Sequence, residues 1–148
     1  MKKLSGAFLL SFFLVGSTFA GSNQVTDARI DTLMGSDTHK QYHHFLIQLQ
    51  QAVAAKDKIK VAAMVDYPVT VTVNHQSLDI ADSTTFINEY DKIFTERLNK
   101  IILSQKYSDL IAKDTGIMIG EHGELWFSGL CTVKDCSQFS IKIMQITN

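Results

Sequence analysis

Around Pro68 the spacing of apolar residues changes period, and that change decides what the chain can fold into. Before it, Tyr42, Phe45, Leu46, Leu49 and Val53 recur at intervals of three and four, one face of an α-helix. After it, Val69-Thr70-Val71-Thr72-Val73 alternates apolar and polar, the period of a half-buried strand. Pro68 is the only proline, and a proline biases the residue before it, here Tyr67, away from helix.

The other elements follow from the same two periods. Ser36 or Asp37 is placed to cap the helix of Tyr42 to Val53, and Asp57 opens a shorter one carrying Ile59, Val61, Ala62, Met64 and Val65. Residues 74–77 form a turn, and Leu78-Asp79-Ile80 is the returning strand. Phe86, Tyr90, Ile93, Phe94, Leu98, Ile101 and Ile102 predict one long helix, capped by Asp82 or Ser83. Its acids Glu89 and Asp91 come early and its bases Arg97 and Lys100 late, which suits the helix dipole. Residues 105–113 read as a further helical turn that Asp114-Thr115-Gly116 ends. Three strands close the chain, at 117–119, around 125–127 and over 139–146. In the last, Gln145 falls out of phase with Phe139, Ile141 and Ile143, so a bulge is expected near Met144. Helices and strands that segregate along a chain predict an α+β domain, here helices packed on a curved antiparallel sheet.

Residues 1–20 read as a secretory signal peptide. Lys2 and Lys3 precede a short apolar run, and Thr18-Phe19-Ala20 places small residues before an expected cleavage at Gly21. The run is too short to cross a bilayer comfortably, no cysteine follows it to carry a lipid, and no later stretch suits membrane insertion. A periplasmic or secreted location is therefore expected. Residues 21–37 read as an N-terminal arm or short helix, and 38–148 as a single domain, a suitable length for one core. Losing the leader's two lysines takes the formal charge from −1 to about −3, which disfavours a nucleic-acid partner. Cys131 and Cys136, the only cysteines, are expected to form a disulfide in an oxidising compartment. A loop this short limits its contribution to about 1–3 kcal/mol.

The order of elements over residues 38–148 resembles the NTF2-like superfamily, and small exported bacterial proteins within it. The residues that carry the resemblance are Tyr67-Pro68 opening a strand and Gly120-x-x-Gly123-Glu124-x-Trp126-Phe127. The resemblance implies a cone, with a bent antiparallel sheet around helices and a pocket at the wide end between the long helix and the sheet. Enzymes of that superfamily project an Asp–His or Asp–Tyr pair into the pocket. A cystatin-like layout, one helix on a sheet, is the alternative; the extra N-terminal helices argue against it.

The most chemical-looking stretch is Gly120-Glu121-His122-Gly123-Glu124-Leu125-Trp126-Phe127. Its two glycines favour a hairpin turn, with Glu121 and His122 at an exposed tip. Strand alternation sets Glu124 and Trp126 on one face, where they could bind a partly apolar ligand. Tyr67 and Tyr90 could meet across the cone, with Asp66 tuning one phenol for acid–base work. His39 and His43 stand one helical turn apart, but no carboxylate at helical spacing completes a metal site, so no metal or other cofactor is expected. No nucleophile elbow, zinc helix or nucleotide loop is present. The expected function is therefore binding of a protein partner or small ligand without catalysis, with Tyr67, Tyr90, Glu124 and Trp126 as ligand-binding candidates. The alternative is a pocket isomerase or hydrolase using Asp66, Tyr67 or Glu124. A curved open sheet also offers a face that a homodimer can cover.

Overall fold

The computed structural model describes residues 19–148, with side chains from Gly21 onward. The expected leader therefore lies outside the described residues, apart from the backbone of Phe19 and Ala20. That backbone opens α1 (Phe19–Met34), so the 21–37 segment is mostly helix. There follow α2 (His39–Ala54), α3 (Lys58–Ala63), β1 (Val69–Val73), β2 (Gln76–Ile80), α4 (Ser83–Ile93) and α5 (Glu96–Ser104). A 3-10 turn (Tyr107–Asp109) leads to β3 (Ile111–Lys113), β4 (Gly116–Ile119), β5 (Leu125–Cys131) and β6 (Phe139–Thr147). The class is α+β, helices packed on a six-stranded sheet ordered β2-β1-β6-β5-β4-β3.

The sheet is mixed and not wholly antiparallel. β1 and β6 run parallel, with Val71 opposite Ile146 and Thr72 opposite Thr147, while every other neighbouring pair is antiparallel. The helical turn expected within 105–113 is the short 3-10 turn Tyr107–Asp109, and it stops sooner than expected: Ile111-Ala112-Lys113 pairs with Met118-Ile117-Gly116 as an extra edge strand. The bulge expected near Met144 is present. Phe127 faces Ile143 and Trp126 faces Gln145, which leaves Met144 over.

Side-chain caps fix the helix starts. Asp57 accepts from the Lys60 N–H at 3.0 Å and Asp82 from the Thr85 N–H at 2.8 Å. At α2 neither Ser36 nor Asp37 serves; Asp31, from α1, accepts the His39 N–H at 2.9 Å. Gly35 and Asp37 both take positive φ and turn the chain back, so the cap comes from the preceding helix.

The long helix expected over 86–102 is two. Thr95 is extended and accepts from the Leu98 N–H, starting α5 anew. Both helices keep one buried face, Phe86, Tyr90 and Ile93 on α4 and Leu98 and Ile102 on α5, so the apolar spacing runs through the break unaltered. The predicted α2 stripe, Tyr42, Phe45, Leu46, Leu49 and Val53, is buried throughout. Phe45 stacks on Phe127 at 4.9 Å between ring centres, and Ile117, Ile119, Ile143 and Ile146 are fully buried beside it. The space between helices and sheet is thus filled by side chains.

Candidate functional site

A wide cleft lies within the helical layer and has no strand residue in its wall. It is about 820 Å³ and is lined by residues of three pieces. Lys56 comes from the α2–α3 connection and Lys58 from the start of α3, Tyr90 and Asp91 from α4 with Phe94 just past its end, and Glu96, Asn99, Lys100, Leu103 and Ser104 from α5. Residues from both sides of the α4–α5 break meet in its wall.

Two buried polar atoms lack a hydrogen-bond partner among the described residues, Tyr90 Oη and Asn99 Oδ1, and both residues line this cleft. Orphaned buried polar groups are uncommon and cost about 1–3 kcal/mol each. Asn99 has a local task, since its Nδ2 donates to the Phe94 carbonyl at 3.1 Å, closing the end of α4. That bond fixes the amide's orientation and turns Oδ1 into the open acceptor. Tyr90 stacks on Phe94 with ring centres 4.9 Å apart, and only 3 % of it is exposed. Burial, with the nearby charges of Asp91 and Asp57, pushes its phenol up to about 12, so at neutral pH it is a donor.

The cleft carries both signs of charge. Lys58 Nζ sits 2.6 Å from Asp91 and 5.6 Å above the Tyr90 ring. Among the described residues no ion pair engages Lys56, Lys100 or Glu96. Phe94 and Leu103 supply the apolar wall, and Leu103 is 46 % exposed, unusual for a large apolar side chain.

The residues singled out from sequence scatter. Tyr67 and Tyr90 do not meet, because Phe86 lies between them with its ring edge-on to each, at 6.1 and 6.2 Å. The Tyr67 hydroxyl donates to the Ala62 carbonyl at 2.8 Å, and burial together with Asp82 raises its phenol to about 12. Glu124 is buried at the root of the β4–β5 turn, where one oxygen pairs with Arg97 at 2.9 Å and the other accepts the His122 N–H at 3.0 Å. Trp126 instead lies near Lys113, whose Nζ is 5.6 Å from its ring centre. Glu124 and Trp126 thus make different contacts and no joint site. His122 is exposed, and Gly120 and Gly123 both have positive φ, as a tight turn requires. His39 pairs with Asp31 at 2.7 Å and His43 stacks on Tyr107 at 3.9 Å. Among the described residues no cluster of three His, Cys, Asp or Glu could hold a metal ion. Cys131 and Cys136 are joined by a disulfide at the β5–β6 hairpin.

A second cleft of about 600 Å³ includes Arg97, Glu124, His75, His122 and Asn148. Its groups are mostly spoken for. Asn148 Nδ2 donates to the Ile93 carbonyl and to Thr95 Oγ1, and its Oδ1 accepts from Arg97. It reads as the joint that fastens β6 and the 120–123 turn to the α4–α5 break.

Sequence reasoning named Tyr90 but missed Asn99, Lys56, Lys100, Phe94 and Leu103 as a group. The one available signal was Thr95, a cap-type residue inside an otherwise helical run. No family model matches the chain, and neither does any curated protein or solved structure.

Proposed function

We propose that the chain is an exported, NTF2-like binding protein that holds a small ligand, without catalysis, in the cleft between α4, α5 and the α2–α3 connection. The observation that carries this is the pair of orphaned buried atoms, Tyr90 Oη and Asn99 Oδ1, which belong to two residues that line the cleft. A fold keeps such atoms unpaired at a cost to stability, and a ligand that satisfies both gives them a purpose. Two of the three groups named for a pocket enzyme, Tyr67 and Glu124, are engaged elsewhere, and Asp66 does not line the cleft. The Tyr67 hydroxyl is spent on Ala62, and both Glu124 oxygens are held by Arg97 and the turn.

Export is supported by the leader-like residues 1–20 and agrees with the disulfide, since oxidising compartments preserve such bonds. No described helix is long and apolar enough to cross a membrane. The NTF2-like reading is supported by the helices-then-hairpin, helices-then-strands order and the single six-stranded sheet.

A fragment screen by ligand-observed NMR tests the reading. Hits should shift the signals of Tyr90, Phe94, Asn99 and Leu103, and Leu103→Asp should abolish those shifts. A chemically diverse library with no hit in this cleft refutes it. Processing is checked separately, because the exported form should begin at Gly21 by intact mass.

A further inference from the structure

Resting on the binding reading above, we infer that the cleft takes an N-acylated apolar amino acid: a small carboxylate with an apolar side chain and an amide N–H next to it. Each part of that description answers a group in the wall. The apolar side chain answers Phe94 and Leu103. The carboxylate answers Lys56 and Lys100, which approach from different elements and are in no ion pair among the described residues. Of the opposing acids, Asp91 is already taken by Lys58, which leaves Glu96 alone against two lysines. A cationic ligand therefore meets the less favourable field.

The amide is required by Asn99. Its Nδ2 is committed to the Phe94 carbonyl, so the atom left open is an acceptor, Oδ1. A carboxylate has no hydrogen to give it. The ligand must bring a separate donor close to its anionic end, and an amide N–H α to a carboxylate is the compact way to do so. Tyr90 asks for the converse. Its hydroxyl remains protonated and lacks an acceptor, which the acyl carbonyl or the carboxylate supplies.

The Tyr90 hydroxyl and Asn99 Oδ1 are both covered in the free protein, so binding includes a small rearrangement that uncovers them. Lys58 lies over the ring, and its partner Asp91 has 81 % of its side chain exposed. Exposed ion pairs of this kind hold weakly. A ligand carboxylate that draws Lys58 off Asp91 adds a third cation to its own site and opens the way to the phenol.

The test is a calorimetric and NMR titration of the full folded protein with four probes. These are N-acetylphenylalanine, its uncharged amide, 3-phenylpropionate without the N–H, and phenethylamine as the cation. N-acetylphenylalanine should bind about tenfold tighter than its amide and about threefold or more tighter than 3-phenylpropionate. Lys100→Ala, at an exposed position, should shrink the first ratio, and Asn99→Ala the second. Should Asn99→Ala fail to fold, the 3-phenylpropionate comparison on the unaltered protein still decides the amide. Equal binding of acid and uncharged amide overturns the anionic part. Equal binding of N-acetylphenylalanine and 3-phenylpropionate overturns the role given to Asn99. Preference for phenethylamine overturns the ligand class but leaves a binding cleft standing. Binding by none of the four overturns the ligand class, and the fragment screen then judges the binding reading on its own.

Discussion

Two side chains show how little a residue's type tells without its partners. Glu124 looked like a strand carboxylate free to meet a ligand; it is instead the anchor of a turn. It is 3 % exposed, and it holds both Arg97 on α5 and the His122 N–H. Those contacts come from residues 27 and 2 positions away, and only the second is visible as spacing. Glu124→Ala strands a half-exposed arginine and a turn N–H, and is expected to cost about 2–3 kcal/mol in denaturant unfolding. A loss under half a kcal/mol would show that the turn does not depend on it. Tyr90 is the opposite case: it is singled out for a pairing with Tyr67 that Phe86 blocks, and it lines a cleft instead. Because its hydroxyl has no partner, Tyr90→Phe should stabilise the protein by about 1 kcal/mol while weakening ligand binding. Destabilisation by that change would mean that the hydroxyl is bonded in solution.

Elements were legible wherever local period alone decides them. The α2 stripe, the β1 alternation and the slip at Met144 all follow from residues within a few positions of one another. What was not legible depends on distant partners. The parallel pairing of β1 with β6 joins residues 75 apart, as Val71 and Ile146, and no spacing announces it. The α4–α5 break was hidden because the second helix restarts with its apolar face in phase. Its only mark is Thr95, which caps Leu98 and accepts from Asn148 Nδ2 at 2.6 Å. Thr95→Ala removes both bonds and should cost about 1–2 kcal/mol, whereas Thr95→Ser should nearly restore the loss. Equal stability of all three forms would mean that packing alone bends the chain. The β5–β6 hairpin gives the reverse expectation. Its disulfide closes a short exposed loop, so reduction should cost about 1–3 kcal/mol and leave the fold intact.

At the scale of the whole molecule, α1 is held in large part by polar contacts, and these open it to pH. Among its described residues Ile30 is the one fully buried apolar side chain, with Leu33 and Met34 partly buried against the core, while Val25 is 71 % exposed. Hydrogen bonds supply much of the remainder: Tyr107 Oη to Asp27 at 2.6 Å, Thr26 Oγ1 to the Ser108 carbonyl, Arg29 Nε to the Ala112 carbonyl, and Asp31 to His39. Partial burial works to raise the Asp31 carboxyl, but the His39 N–H, ring hydrogen bond and charge outweigh it. The carboxyl therefore sits below its ordinary value of 3.8. A carboxyl lowered by folding contributes stability that is full above its unfolded value and is lost as pH falls through the folded one. Below about pH 4, then, the α1–α2 joint should loosen before the apolar core of α2, β5 and β6 does. Amide exchange at pH 3 should show residues 21–34 losing protection while Leu49 and Phe127 keep theirs. Asp31→Asn should show the same early loosening at neutral pH. If α1 and the core lose protection together at every pH, α1 belongs to the same cooperative unit as the sheet, and the joint through Asp31 and His39 contributes nothing of its own.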